Sequence, residues 1–541
     1  MTPSEEKETR PSAGEQPTFP VESGRRLSDS LLWRLQRESY LRRGEQAWLV
    51  DQVPFYITSN TYIAGAYARV LVGFLRDQLA AGAAAPDAPF HVLELASGPG
   101  QFAFLFLKKL LALVREVPAL AGLRLRYVMS DLAPANVEAW RGRSSLRPFV
   151  DAGLLDFAVF DLERDRRLEL LQSGETLDAG ALRNPLTVIA NYAFDTTAQD
   201  VFWIHEGALQ EGRATLLSSR ESDELADPQA LERLSVRYER RPAPGACYDD
   251  EALNRVLAGY ASRLGDTSLL FPIGALRGIR NLATLAGGRL LLVSGDKGYS
   301  HESELLAHGD PQLTLHGGQC FSMMVNYHAI GLYVRELGGA VLHGATHDKR
   351  LKVSAFVLGG SGGELPETAA AFRQAIDGFS PADYFVLASG VRKALPAAPL
   401  EMILSLLKLG GFDPQLVFRF AAPLAEQARS APESQRLELL RALEKCWEHF
   451  YPMDLDLPFE LGRIYAALER PTDALRFYLE SLRLYKEHPA TLFNAGLCLC
   501  RLQRPREALT LMERALALKA DYAPAREWRV KIQEELAGSA S

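Results

Sequence analysis

Four short apolar runs recur between residues 90 and 191, and each ends in a polar residue. His91-Val92-Leu93-Glu94-Leu95 enters the turn Ala96-Ser97-Gly98-Pro99-Gly100, and a helical pattern over residues 102–115 follows at once. Residues 123–131 end in Asp131, residues 155–160 run into Asp161, and residues 186–190 run into Asn191. Apolar runs of this length, bounded by turn residues and separated by helical spacing, predict parallel strands covered by helices on both faces. A hairpin is expected over residues 202–218 around Glu206-Gly207, followed by an insertion over 221–285 with two helical patterns. Lying between the fourth and fifth strands, that insertion is placed to cover the crevice or simply to decorate the sheet. A fifth strand follows at 288–296, a helix at 326–337, and a closing antiparallel pair at 340–343 and 352–358. The expected fold is α/β, a Rossmann-like seven-stranded sheet over residues 89–358.

The flanks read differently. Residues 27–88 are helical, with Leu31, Leu32 and Leu35, then Tyr67, Val70, Leu71, Phe74 and Leu75, at helical spacing. An aromatic, polar loop at 54–62 separates the two patterns. Gly359 to Gly363 is a Gly-rich break and the expected domain boundary, and residues 364–452 beyond it are helical. Within 453–538, Leu461-Gly462 recurs as Ala495-Gly496, Ala474 as Ala508, Tyr478 as Met512 and Ser481 as Ala515, each 34 residues apart. Small residues at fixed points let antiparallel helices pack closely, and the pattern resembles the tetratricopeptide repeat, closed by a capping helix near 521–536. This all-α half is expected to fold alone and to present a protein partner or peptide substrate.

Composition narrows the class. The 541 residues suit several domains, and 47% hydrophobic with 23% charged residues is ordinary for a globular chain. A net charge of −7 offers no basic field for nucleic acid. The five cysteines form no C-x-x-C pair, which suits a reducing, cytoplasmic setting, and no apolar run is long enough for a membrane span. Residues 1–26 are polar and rich in Pro and Ser, and are expected to be a disordered tail. His343 and His347 are separated by a glycine that breaks any shared helix, so no metal site is expected.

The chemistry gathers at the strand ends. A glycine turn between strand and helix offers backbone N–H groups and a helix N-terminus to a ligand. No lysine follows the turn, which argues against a phosphate loop. Glu94 before the turn would repel a pyrophosphate and suit a cationic cofactor, which disfavours the competing reading of a nicotinamide-dependent oxidoreductase. E-x-x-x-G-x-G on strand, turn and helix resembles the first motif of class I S-adenosylmethionine (SAM) methyltransferases. Asp131 is then expected at the ribose hydroxyls, Asp161 at the adenine amino group and Asn191 at the lip facing the methyl group.

Over residues 52–358 the chain resembles the MidA-type methyltransferase family, whose mitochondrial members are protein arginine methyltransferases assisting assembly of respiratory complex I. Phe55-Tyr56-Ile57-Thr58-Ser59, the glycine motif, Ala190-Asn191-Tyr192-Ala193-Phe194-Asp195 and Phe321-Ser322-Met323-Met324-Val325-Asn326-Tyr327 carry the likeness. The resemblance implies SAM as cofactor, held by Tyr56, Thr58, Glu94, Ala96, Ser97, Gly98, Gly100, Asp131, Leu132, Asp161, Leu162 and Asn191. Asn191, Tyr192 and Asp195 would face the methyl acceptor. Tyr192 and Met324 stand where the family has an acid and a histidine, which turns the expectation away from arginine. The function expected is SAM-dependent methyl transfer to a protein or peptide, with a catalytically degenerate scaffold acting through its repeats as the alternative.

Overall fold

The computed structural model describes residues 18–44, 56–221, 227, 229–316, 320–345, 348–359, 365–395 and 398–538. The central sheet has seven strands: β1 (Phe90–Leu95), β2 (Leu125–Asp131), β3 (Leu155–Val159), β4 (Leu186–Asn191), β5 (Leu290–Asp296), β6 (Ala340–His343) and β7 (Lys352–Leu358). Their order is β6-β7-β5-β4-β1-β2-β3. β1 to β5 run parallel, and β7 is antiparallel to both its neighbours. The chain's direction of travel reverses between β1 and β4, where an open α/β sheet leaves a crevice outside its carboxyl ends.

Both faces of the sheet are dry, which is why the strands read as continuous apolar runs. Leu93, Val128, Val188 and Leu292 face one layer, built in part by the helix Ile273–Leu285. Val92, Tyr127, Ile189 and Val293 face the other, with the helices α2 (Thr61–Ala80) and α3 (Gln101–Glu116). The helix preceding them, α1 (Leu31–Arg43), packs elsewhere, on a second sheet.

That second sheet corrects the reading of the N-terminus. Phe19–Arg26 is a strand, not a disordered tail, and pairs antiparallel with Ala208–Ser218. Its polar composition hid an alternation in which Arg26 pairs with the buried Glu211, and Glu22 accepts from Ser30 Oγ at 2.6 Å and from the Leu31 amide at the start of α1. Residues 1–17 lie outside the described residues. The expected hairpin is present: Asp200–His205 pairs with Ala208–Ser218 around Glu206 and Gly207, both at positive φ (49° and 72°), as a type I′ turn requires. The insertion supplies its two helices, Glu251–Arg263 and Ile273–Leu285, and also two strands, Leu234–Pro242 and Thr267–Phe271, that extend this sheet.

The C-terminal half is helical throughout. Leu457–Ala467 and Pro471–Leu484 form one antiparallel pair, Pro489–Arg501 and Pro505–Leu518 a second, and Ala523–Gly538 caps them. The 34-residue periodicity has a direct steric meaning. A Cβ on Gly462 would lie 2.6 Å from the Tyr478 ring, and one on Gly496 would lie 2.6 Å from Met512 Cε. Helices at Leu400–Leu409, Pro414–Ala428 and Glu433–Glu448 share the repeats' core, so the stack is longer than two repeats.

The expectation that few contacts cross the Gly-rich break fails. Residues 360–363 of that break lie outside the described residues, but the chain beyond returns to the sheet domain. Phe372, Ile376 and Tyr451 are buried in the same core as β1 and α3. The Asp77 carboxylate on α2 accepts from the Thr368 amide and hydroxyl, anchoring the helix Pro366–Phe372. Asp413, fully buried, accepts from the Thr61 amide at 2.9 Å and from the Thr61 hydroxyl at 3.1 Å, while Tyr62 stacks on Tyr384 at 4.8 Å. A flexible connection marks where the chain crosses, and the packing boundary is a separate matter. Asp413→Ala leaves the Thr61 and Gln415 amides unpartnered, and should lower folding stability by about 2–3 kcal/mol, read from urea unfolding. A variant as stable as the wild type would show that the seam does not hold the two halves together.

Candidate functional site

A cavity of about 380 Å³ lies at the carboxyl ends of β1 to β4. Leu95 and Ala96 after β1, Leu132 after β2, Phe160, Asp161 and Leu162 after β3, and Ala193 and Thr196 after β4 form its floor. The roof is α1, through Trp33, Gln36, Arg37 and Tyr40. Two faces of one helix explain this placement. Leu32 and Leu35 pack on the second sheet. The Gln36 carboxamide exchanges hydrogen bonds with the Phe321 backbone at 2.7 and 2.8 Å, as a strand neighbour would.

The turn after β1 carries the tightest backbone. Ala96, Gly98 and Gly100 all have positive φ (51°, 55° and 83°). The conformation costs Ala96 about 1–2 kcal/mol, a strain of the kind that persists where the surroundings over-determine it. The carbonyls point into the protein: Gly98 O accepts from Trp140 Nε1 and Pro99 O from the Tyr451 hydroxyl, both at 2.9 Å. A Cβ on Gly100 would sit 2.8 Å from Met129 Cε and 3.0 Å from the Tyr451 oxygen, so only glycine fits.

The structure divides the expected site residues. Ala96, Leu132, Asp161 and Leu162 line the cavity. Ser97, Gly98 and Gly100 build the turn beside it, with the Ser97 amide donating to Ser130 O. Glu94 and Asp131 lie beneath the turn instead of in the cavity. Glu94 is buried beside Ser97 and Tyr127, and burial pushes its carboxyl up to about 8. Its Oε2 has no hydrogen-bond partner among the described residues. Asp131 accepts from the Ala133 amide at 2.9 Å, and desolvation pushes it up to about 6. Asp161 is already engaged, by Arg37 and by the Glu163 amide at 3.0 Å. Tyr56 and Thr58 are away from the cavity, and Phe55 lies outside the described residues. The Tyr56 ring lies against Arg419 and Phe385, and its hydroxyl faces Asp413, so this loop serves the C-terminal helices. Its expected packing on the cofactor is corrected accordingly.

The end of β4 gathers a second polar group. Asn191 does not cap the following 3-10 helix, Phe194–Thr196, whose N-cap is Ala193. Its Oδ1 accepts from the Tyr67 hydroxyl of α2 at 2.9 Å, while its buried Nδ2 has no hydrogen-bond partner among the described residues. Tyr192 is held at φ 47° with its amide on Gly295 O. Asp195 is buried, and its Oδ1 also lacks a partner among the described residues. Desolvation pushes the Asp195 carboxyl up to about 6, despite Lys297 and Ser322 nearby. Asp296, at the end of β5, accepts from the Asp195 amide at 3.0 Å and is itself pushed up by burial and by the neighbouring Asp195 charge.

Arg37, Tyr67, Asp296 and Tyr451 belong to this neighbourhood and escaped the sequence reading. Asp296 carried a usable signal, since it ends the fifth strand as Asp131 ends the second. Among the described residues no cluster of His, Cys, Asp or Glu could hold a metal, and His347 lies outside them. Nor is any helix among them long and apolar enough to cross a membrane.

Comparison with known proteins adds one family and several folds. Residues 455–521 match the tetratricopeptide repeat. A Rossmann-like seven-stranded α/β sheet is thus joined to a region that matches tetratricopeptide repeats. Curated proteins yield no match. Among solved structures, an uncharacterized protein from Burkholderia thailandensis is similar at 13% identity and a TM-score of 0.36, over 63% of this chain and 89% of its own. A member of the same superfamily from that organism, crystallised with S-adenosyl-homocysteine, shares 16% identity at 0.34, over 55% of this chain and 76% of its own. An O-methyltransferase family protein, also from B. thailandensis, shares 12% at 0.24, over 61% of this chain and 70% of its own.

The raised Glu94 carboxyl sets a pH dependence. Its folded value, about 8, lies above the ordinary 4.5. Its stabilisation is therefore complete below about pH 4.5 and is lost as pH rises through 8. Between these values the slope approaches about −1.4 kcal/mol per pH unit. Glu94→Gln should flatten the decline in denaturant midpoint between pH 6 and 8.5. An unchanged decline would place the titration elsewhere.

Proposed function

We propose that this protein transfers a methyl group from SAM to a neutral nitrogen or oxygen of a protein or peptide that the helical repeats help to present. The observation that carries the reading is the cavity at the reversal of the sheet, lined after β4 by Ala193 and Thr196, whose segment also holds two buried polar atoms, Asn191 Nδ2 and Asp195 Oδ1, with no hydrogen-bond partner among the described residues. The lining fits an adenosine: Leu95, Leu132, Phe160 and Leu162 offer an apolar bed, and Asp161 an acceptor for an exocyclic amine. Cofactor bound there would supply an electrophilic methyl group on a sulfonium.

This chain's residues would then do three things. Tyr67 fixes Asn191, leaving Nδ2 free to orient the acceptor in line with the methyl group, and alignment of this kind supplies most of what an SN2 transfer needs. α1 excludes water from above. Asp195, its carboxyl raised by burial, would be the base that takes the proton a neutral acceptor must shed. Tyr192 and Met324 stand where the MidA-type family has an acid and a histidine, and this departure is what turns the choice of acceptor away from arginine. The Arg37–Asp161 ion pair favours the second reading, a fold-retaining scaffold, because it occupies the adenine acceptor.

Calorimetry and thermal unfolding with SAM, S-adenosyl-homocysteine and NAD separate these readings. Either SAM or its product at a hundred times its dissociation constant should stabilise the fold by about 2.7 kcal/mol. Stabilisation by NAD alone would overturn the assignment, and binding of none would favour the scaffold. Where methyl transfer is detected with tritiated SAM and cell extract, Asp195→Asn should slow it by about 100-fold. Affinity for S-adenosyl-homocysteine should be kept, and the rise in wild-type rate through about pH 6 should disappear. Methylarginine as the product would refute the choice of acceptor.

A further inference from the structure

We infer that Tyr451, from the C-terminal helical half, is a positioning residue for the glycine turn, so that this half governs cofactor affinity from outside the cavity. The inference rests on the functional reading above. Tyr451 is 5% exposed and packs on α3, its ring 5.4 Å from that of Phe104. On its other side the Arg143 guanidinium lies 5.4 Å from the ring centre and donates to Pro452 O at 3.3 Å. Its hydroxyl donates to Pro99 O at 2.9 Å and fills the space that a Gly100 side chain would take.

The geometry makes this contact directional. Peptide groups are planar, so fixing a carbonyl fixes the orientation of the N–H on the next residue. Gly98 O is held by Trp140 from within the sheet domain, and Pro99 O by Tyr451 from beyond the Gly-rich break. The second anchor sets the peptide between Pro99 and Gly100, whose amide closes the turn on Ser97 O at 3.0 Å. Lys109, two turns along α3, reaches the same half of the chain through Gly411 O at 2.9 Å. Turn and following helix are thus braced by the helical half, while Asp161 and α1 close the opposite side of the cavity. A shift of the interhelical segments that carry Tyr451 and Gly411 changes the turn without touching the cofactor. Coupling of this kind is reciprocal.

The test uses the full chain and the variant Tyr451→Phe, which keeps the ring packing and deletes only the hydroxyl. Tyr62→Phe is the control, since the Tyr62 hydroxyl crosses the same seam to Phe379 O without touching the turn. In Tyr451→Phe we expect hydrogen exchange in peptides covering residues 97–104 to quicken, and the dissociation constant for S-adenosyl-homocysteine to rise about 3–10-fold. The control should change neither. Unchanged exchange and unchanged affinity in Tyr451→Phe would overturn the inference, as would equal changes in both variants, which report only a loosened seam. A wild type that binds no S-adenosyl-homocysteine defeats the functional reading, and the exchange of the ligand-free protein still decides the positioning role.

Discussion

The backbone turn between β1 and α3 is the constraint on which the rest of the site depends. Three residues in five hold positive φ, and one of them is an alanine. Such a turn is a poor local minimum, so it persists only because neighbouring groups leave it no alternative. Trp140 and Tyr451 claim its carbonyls, and Met129 forbids any side chain at Gly100. The buried carboxyls of Glu94 and Asp131 lie under it, pushed up by loss of water, and Asp131 accepts a backbone amide where a ligand contact was expected. Both acids lie next to the turn, Glu94 beside Ser97 and Asp131 against the Ala133 amide.

The same packing runs across the glycine break between the two halves. Across the seam lie the Thr61 amide at the start of α2, the Lys109 ammonium of α3 and the carbonyl of Pro99. The helical half supplies their partners, through Asp413, Gly411 and Tyr451. Buried polar groups of this kind are costly to strand, which makes the seam cooperative where a linker and two independent cores would not be. Tyr56 shows the same logic: an aromatic loop that could have packed on a small molecule instead faces a buried aspartate of the helical half.

The alternation of buried strands with helices made the seven-stranded sheet legible, because its central strands are covered on both faces and are mostly apolar. The repeats were legible for a steric reason, Gly462 and Gly496 each meeting a bulky side chain 16 residues on. The strand at Phe19–Arg26 was not, since three of its eight residues are exposed and none is fully buried. Cavity-facing residues at the strand ends, Ala96, Leu132, Asp161 and Leu162, follow from topology alone. Which way Glu94 and Asp131 point does not. The roof was invisible for a similar reason: nothing local to Arg37 announces an ion pair with a residue 124 positions away.

The roof and the floor therefore make opposite demands on Asp161. As the structure stands, its carboxylate is shared between Arg37 of α1 and the Glu163 amide, and a ligand amine must either displace the guanidinium or bind beside it. Displacement would release α1 from the strand ends while leaving it tethered to the second sheet through Leu32, Leu35 and the Gln36–Phe321 exchange. Arg37 is about a third exposed and the pair is open to solvent screening, so breaking it costs at most about 1 kcal/mol. That is small beside the burial of an adenine ring against Leu132, Phe160 and Leu162. The ion pair can close the cavity in the absence of a ligand and yield to one, with the second sheet holding the helix in place for its return.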